Sequence, residues 1–120
     1  MGENMSLEAI IEQINQFREE RNWRQYHNEK DLAISISLEA NELLELFQWE
    51  DAKEVVANKR ERLAEELADV LIYSLTLADN LQFDVQAIIE EKIKKNALKY
   101  PVEKSYGSNK KYTELTDTLE

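Results

Sequence analysis

The chain contains only two glycines and one proline in 120 residues. These two residue types interrupt helices, whereas Ala, Leu, Glu and Lys, which favour helix, are abundant in this sequence. The absence of cysteine excludes disulfides and thiolate metal sites. The composition therefore predicts an all-α fold, and the length suits one domain with a single core.

Apolar residues at helical spacing predict four helices joined by short connections. We expect Ser6 and Asp31 to cap the first two helices, and Pro101 to end the fourth. The expected helices cover residues 6–21, 31–49, 59–80 and 84–99, with a loop or short helical turn over 50–58. This pattern favours an antiparallel four-helix bundle, with a helical domain over 1–100 and a polar C-terminal tail over 101–120.

Charge and hydropathy narrow the classes of partner. The net charge of −10 argues against binding to a nucleic-acid polymer, which requires a basic face. No apolar run approaches the roughly 18 residues that cross a membrane, so we expect no membrane partner and a cytoplasmic location. A nucleotide remains compatible with an acidic protein, because a few carboxylates can act through a bound metal ion.

Two carboxylate pairs stand out, Glu39-Ala-Asn-Glu42 and Glu66-Leu-Ala-Asp69. A spacing of three residues makes the members of each pair neighbours on one helix face. If the two helices lie side by side, four carboxylates converge, which is unfavourable unless protons or a hard divalent cation neutralise them. Oxygen ligands suit Mg²⁺ or Mn²⁺, and Mg²⁺ held by carboxylates usually serves a phosphate-bearing substrate.

The position of each acid around its helix separates these residues from ordinary solvated ones. Glu39 falls inside the apolar arc of its helix, where an ionised group without a partner is strongly unfavourable. Glu42 lies at the border of that arc, and Glu45 is expected to point into solvent. Glu66 lies at the edge of the next apolar arc, while Asp69 falls in a more polar sector and is supported by its pairing with Glu66.

Polar and aromatic side chains supply further candidates, each with two open interpretations. Lys92 and Asn96 share the inner face of the fourth helix and Lys99 lies at its margin, so they either extend into solvent or contact phosphate and sugar oxygens. Trp23, Trp49 and the single histidine, His27, either fill the core or hold a nucleobase. Stacking of a base on an indole contributes about 1–3 kcal/mol.

Five stretches together resemble the MazG-like, all-α nucleoside triphosphate pyrophosphohydrolases, and within them the dCTP pyrophosphatase branch. The stretches are Arg21-Asn-Trp-Arg-Gln-Tyr-His27, Ser37-Leu-Glu-Ala-Asn-Glu-Leu-Leu-Glu-Leu-Phe-Gln-Trp49, Glu65-Glu-Leu-Ala-Asp-Val-Leu-Ile-Tyr73, Lys92 through Asn96 to Tyr100-Pro101, and Lys111-Tyr-Thr-Glu-Leu115. The resemblance extends from Leu7 to Leu115. An ExxE motif on a helix ending in Leu-Phe-Gln-Trp, followed by ExxD before Val-Leu-Ile-Tyr, is its most specific part.

The resemblance implies a role for each candidate residue. It makes Glu39, Glu42, Glu66 and Asp69 the ligands of Mg²⁺, and assigns the base to Trp23 and Trp49 with His27 nearby. It assigns sugar or base contacts to Tyr73 and Asn96, and phosphate contacts to Lys92 and Lys99. It also implies cleavage between the α- and β-phosphates, giving a monophosphate and pyrophosphate, by a homodimer or homotetramer with sites near subunit interfaces. Either Glu39 or Glu42 would take the proton from the attacking water.

Three alternatives follow from the same residues. A di-iron bundle would need Glu-x-x-His pairs, and the single histidine lies in a predicted loop. A non-catalytic acidic interaction module and an all-α enzyme that hydrolyses dUTP remain open.

The segment between Trp49 and Arg62 is shorter than in the animal members of the branch and borders the expected base site, which leaves the base preference open. Nucleotide-pool cleansing is the expected role.

Overall fold

The structure, a computed structural model, describes residues 6–109, and all regular secondary structure in that range is helical. The six helices are α1 (Leu7–Glu20), α2 (Glu29–Glu45), α3 (Ala52–Asn58), α4 (Arg60–Asn80), α5 (Val85–Lys99) and α6 (Val102–Ser105). A 3-10 turn over Arg24–Tyr26 joins α1 to α2. The prediction of an all-α fold is confirmed. The Lys111–Leu115 motif and most of the predicted tail lie outside the described residues.

Side-chain caps define where the first helices begin. Ser6 accepts a hydrogen bond from the backbone N–H of Ala9 at 3.1 Å, as predicted. The prediction for α2 was wrong, because Asn28 rather than Asp31 is the N-cap. The Asn28 Oδ1 accepts from the Asp31 backbone N–H at 2.9 Å, and the Asn28 amide donates to the Asp31 carboxylate at 2.7 Å. With this reciprocal pair at its N-terminus, α2 begins at Glu29, two residues earlier than predicted.

The C-terminal end of α2 also differs from the prediction. The helix ends at Glu45 instead of Trp49, and the chain tightens into i→i+3 turns from Leu46 onward. Trp49 adopts a left-handed backbone conformation with φ of 64°, which a helix cannot contain. This conformation costs a residue with a Cβ about 1 kcal/mol. The ambiguous segment that follows forms α3, capped by Asp51.

Two compact units divide the described chain between Asp84 and Val85. Helices α1 to α4 belong to the first unit, and α5 and α6 belong to the second. The bounds of α4 and α5 agree with the sequence prediction to within one residue at either end. The predicted boundary of the helical domain at residue 100 stays a prediction.

In the first unit, α4 is the element on which the other helices pack. α2 lies along α4 in the most extensive contact, and α1 and α3 also contact α4. The most deeply buried apolar side chains of this unit are Leu32, Leu46, Val55 and Ala78. The side-by-side placement of α2 and α4 is the arrangement that the carboxylate pattern required.

Many large apolar side chains remain exposed on the single chain. On α2 and α4 they are Ile34, Leu38, Leu44, Leu67, Leu71 and Ile72, and on α5 they are Ile88, Ile89, Ile93 and Leu98. These residues are spread along the helices, and none of the helices in the described range has both the length and the apolar character to cross a bilayer. Ile34 and Leu38 belong to this exposed set on α2. They lie outside the face with which the helix packs on the core.

Candidate active site

Three carboxylates converge where α2 packs on α4. Glu39 and Glu42 project from α2, and Glu66 projects from α4. Each offers one oxygen, and these oxygens all lie within 4.8 Å of one another. Two of them come from one ExxE turn, and the third reaches the group because the two helices run side by side.

Burial makes this group different from acids on a solvated face. One oxygen of Glu39 and one of Glu66 are buried without a hydrogen-bond partner. A buried polar atom that lacks a partner is unfavourable by itself, and an ionised one more so. Such atoms indicate that a proton or a cation belongs beside them.

Hydrogen bonding, burial and charge repulsion raise the pKa values of two of the three carboxylates. The pKa of Glu42 is raised, chiefly because a hydrogen bond to Glu39 favours the protonated form, although a hydrogen bond with Glu66 acts in the opposite direction. The pKa of Glu66 is also raised, first by burial and then by its hydrogen bond to Glu42 and the charges of Glu42 and Asp69. Arg62 opposes this shift. The carboxylates are close enough to repel one another when ionised, and a bound cation would reduce that repulsion.

The donor set fits a hard divalent cation. All the donors are carboxylate oxygens, which suit Mg²⁺ and Mn²⁺ and disfavour softer metals. Ligands of one Mg²⁺ ion lie about 3–4 Å apart, since each Mg–O bond is about 2.1 Å long. The oxygen separations are close to that range, so modest side-chain rotations would suffice to bring the ligands together.

A depression with a volume of about 370 Å³ opens beside the carboxylates and is lined by Glu42, Glu45, Leu46, Arg62 and Glu66. Its size is within the range of small-molecule sites. Arg62 approaches Glu66 at 4.0 Å while most of its side chain stays exposed. Glu45 is exposed, as the sequence predicts, yet it also lines the depression together with Arg62. The sequence analysis assigned neither residue to the site.

The two missed residues have sequence signals that could have identified them. Glu45 continues the three-residue spacing of Glu39 and Glu42, and its orientation is held by a hydrogen bond from the Asn41 amide at 3.1 Å. Arg62 precedes Glu66 by four residues, a spacing at which opposite charges on a helix meet.

Asp69 and Tyr73 follow Glu66 along α4 by about one and two helical turns, and both are half-buried. The charge of Asp69 acts on Glu66, but Asp69 is not part of the group of three oxygens. The assignments of Asp69 to the metal and of Tyr73 to the nucleotide stay predictions.

A second polar cluster surrounds Arg18, which is only 2% exposed. The guanidinium donates hydrogen bonds to the side chains of Asn15, His27 and Asn80 at 2.8, 3.0 and 3.0 Å. Asp79 approaches both Arg18 and Arg24 at 3.7 Å. Asp79 thus balances the charges of two neighbouring arginines.

Trp23 and His27 lie together next to this cluster. The Trp23 ring makes edge contacts with Phe17 and with His27, at centroid distances of 5.5 and 6.4 Å. Trp23 remains 41% exposed, so part of the indole is available for stacking. The carboxylates lie farther along α2, and about 15 Å of helix separates the first residue of α2, Glu29, from Glu39.

The remaining candidates are exposed. Trp49 presents 94% of its surface to solvent, which rules out a role as core filler in the single chain. Lys92, Asn96 and Lys99 lie on α5 and are exposed. Their spacing places them on one face of that helix, and their contacts with a nucleotide stay predictions.

Comparison with known proteins agrees with the geometry. A family model described as MazG-like matches residues 34–115, a range that includes every residue of the carboxylate group. The dCTP pyrophosphatase 1 of Rattus norvegicus is 38% identical over 115 residues, covering 92% of this chain and 68% of the rat protein. The Homo sapiens protein of the same name is 36% identical with the same coverage.

A solved structure is similar over most of the fold. The crystal structure of a pyrophosphatase from Archaeoglobus fulgidus superimposes with a TM-score of 0.77 and 38% sequence identity, covering 84% of this chain and 97% of that one. The resemblance noted from the sequence motifs is thus confirmed, and the chain belongs to the MazG-like family.

Proposed function

We propose that this protein hydrolyses deoxynucleoside triphosphates, with dCTP preferred, to the monophosphate and pyrophosphate in a divalent-metal-dependent reaction. The enzyme class follows from the family and its relatives: the chain is a nucleoside triphosphate pyrophosphohydrolase. The observation that carries the metal dependence is the meeting of Glu39, Glu42 and Glu66, with two buried oxygens that lack a partner. We place the reaction in the cytoplasm, in cleansing of the nucleotide pool.

Glu39, Glu42, Glu66 and Asp69 would hold the metal ion, for which Mg²⁺ is the first choice and Mn²⁺ the second. When bound, the cation would neutralise phosphate charge and make water easier to deprotonate. The unpartnered oxygens of Glu39 and Glu66 are the natural ligands because they are already removed from solvent. Asp69, next along α4, would complete the set.

Glu42 is our choice for the residue that accepts the proton of the attacking water. Of the three converging acids it alone is exposed, and it lines the depression in which a substrate would lie. A general base must reach the water directly, which a buried ligand cannot do as readily. The proton acceptor was left open between Glu39 and Glu42 by the sequence, and exposure favours Glu42.

The other candidates bind the substrate in this proposal. Arg62 lies at the depression, where its charge can balance developing charge on the phosphates. The family resemblance assigns further phosphate contacts to Lys92 and Lys99. Trp23 and Trp49 would stack on the base with His27 nearby, while Tyr73 and Asn96 would contact the sugar or base. Both indoles are exposed enough for stacking.

A nucleotide panel with pyrophosphate detection tests the proposal. We expect turnover of dCTP that requires Mg²⁺ or Mn²⁺ and releases the monophosphate. Faster turnover of dUTP would favour the alternative all-α dUTP-hydrolysing enzyme. Absence of turnover and of metal-dependent thermal stabilisation by any nucleotide would favour a non-catalytic interaction module.

Glu39→Gln and Asp69→Asn should each reduce kcat by at least about a hundredfold, because each removes a ligand charge while keeping the side-chain shape. Helical content measured by circular dichroism should remain that of the native protein. Glu65→Gln is the matched control, since Glu65 neighbours Glu66 but is exposed and outside the carboxylate group. Equal activity in the three variants would contradict the metal assignment.

Without metal, Glu66→Gln should raise the melting temperature at neutral pH. Because the pKa of Glu66 is raised in the folded state, ionisation of this residue opposes folding as the pH increases through that pKa. The gain should therefore shrink as the pH is lowered toward the ordinary range of glutamate. Adding Mg²⁺ should stabilise the native protein more than the variant. A gain that is constant with pH, or matched by Glu65→Gln, would contradict this explanation.

Trp49→Ala should raise KM for the nucleotide by about tenfold and change kcat much less. A rise of about tenfold corresponds to the binding free energy of one stacking contact. Thermal stability should hardly change because the ring is 94% exposed. Steady-state kinetics separates the two parameters, and an effect confined to kcat would exclude Trp49 from base binding.

A homodimer or homotetramer is the proposed assembly, since it would cover the exposed apolar faces of α2, α4 and α5. Light scattering coupled to size exclusion should give a mass of at least twice the 14.1 kDa chain. Leu38→Glu, on the exposed face of α2, should shift the protein toward monomer. A native protein that elutes as a monomer would exclude the assembly.

A further inference from the structure

We propose that Arg18 is a positioning residue: its buried guanidinium fixes His27 as the Nε2–H tautomer, so that the imidazole offers one constant N–H donor to an acceptor oxygen of the nucleotide base. The binding half of this inference rests on the function proposed above. The tautomer itself follows from contacts within the described residues.

Arg18 is held with little freedom. Its Nη1 donates to Asn15 and its Nη2 donates to Asn80, which leaves Nε directed at the Nδ1 atom of His27 at 3.0 Å. A guanidinium has five N–H donors and no acceptor, and it stays charged inside a protein. The atom of His27 that it meets must therefore be the acceptor.

An imidazole that accepts at Nδ1 carries its proton on Nε2 when neutral. Protonation at Nδ1 would set one N–H against another and break the hydrogen bond with Arg18. The contact thus selects one tautomer and disfavours the charged ring.

Asn80 holds the backbone of the same histidine. While its Oδ1 accepts from Arg18, its amide donates to the His27 carbonyl at 2.6 Å and to the Glu29 carboxylate at 3.3 Å. Ring and main chain of His27 are consequently tied to α1 and to the end of α4. This double restraint fixes the orientation of the ring as well as its tautomer.

The charges around His27 also favour the neutral form of its imidazole ring. Burial lowers the pKa of His27 most, and the cations Arg18 and Arg24 lower it further. The nearby carboxylates are engaged elsewhere, since Asp79 pairs with Arg18 and Arg24 and Glu29 accepts from Asn80. The ring is therefore neutral at physiological pH, and the donor does not change over that range.

The position of the donor suits recognition of a base. The exposed Trp23 indole lies edge-on to the His27 ring, and its backbone N–H donates to the Arg18 carbonyl at 2.9 Å. A stacking surface beside a single fixed donor matches a planar base that carries a carbonyl oxygen. Arg18 holds both parts, the indole through its backbone and the imidazole through its side chain.

The test uses the fact that His27 is the only histidine of the chain. Nitrogen-15 NMR of the full-length native protein should show a single imidazole with Nδ1 unprotonated, Nε2 protonated and a titration midpoint below the ordinary value of about 6.5. In Arg18→Met the tautomers should mix and the midpoint should rise. Arg21→Met is the matched control, because Arg21 lies over the Phe17 ring and should leave the imidazole unchanged. A native ring that is Nδ1–H or mixed overturns the inference.

Kinetics with dCTP tests the binding half. Arg18→Met should raise KM about tenfold, the loss expected when one hydrogen bond to a ligand is weakened, with kcat within about twofold. His27→Gln, which keeps an N–H donor and leaves Arg18 in place, should retain more affinity than His27→Ala even if Arg18→Met folds poorly. Equal affinity of the two His27 variants and the native protein overturns the recognition role. An inactive native protein would instead overturn the proposed function, and the NMR result would still decide the tautomer.

Discussion

The packing of α2 on α4 is the interaction on which the site depends, because it brings together acids that repel one another. Glu39 and Glu66 each hold a buried oxygen without a hydrogen-bond partner, and Glu42 and Glu66 line the adjacent depression. A fold optimised for stability alone would replace these acids with apolar residues of similar size. Buried oxygens without partners are a kind of strain that concentrates at functional sites.

In the cluster around Arg18, unlike in the carboxylate group, the buried charge is compensated by its neighbours. Its donors are matched by the side chains of Asn15, His27 and Asn80, and Asp79 offsets the charge. A buried ion whose donors are hydrogen-bonded is rigid, whereas crowded carboxylates with buried oxygens that lack a partner favour the binding of a cation. One nucleoside triphosphate pyrophosphohydrolase thus contains a satisfied polar cluster near its exposed indole and an unsatisfied one at its acidic site.

The sequence predicted the features that depend on helical periodicity. It missed helix ends, where neighbouring residues compete to be the cap. The position of Glu39 on an apolar arc identified the site, because helical geometry repeats regularly from residue to residue. Asn28 and Asp31 are both good caps, and the choice between them is decided by a reciprocal hydrogen bond that spacing does not reveal. α2 ends at Glu45 and the chain continues in i→i+3 turns to the left-handed Trp49, although Leu46 and Phe47 continue the apolar pattern of the helix.

The tertiary contacts of charged side chains were the least predictable part of the site. Glu45 was expected in solvent because its angle on α2 lies away from the apolar arc; it is exposed, and it also lines the depression. Arg62 approaches Glu66 from the preceding turn of α4 and lines the same depression. Long side chains at the edge of an arc can reach either face, so helical angle alone does not decide which of them lines a site. The lining of the depression is therefore defined by packing, while the group of converging carboxylates can be recognised from spacing.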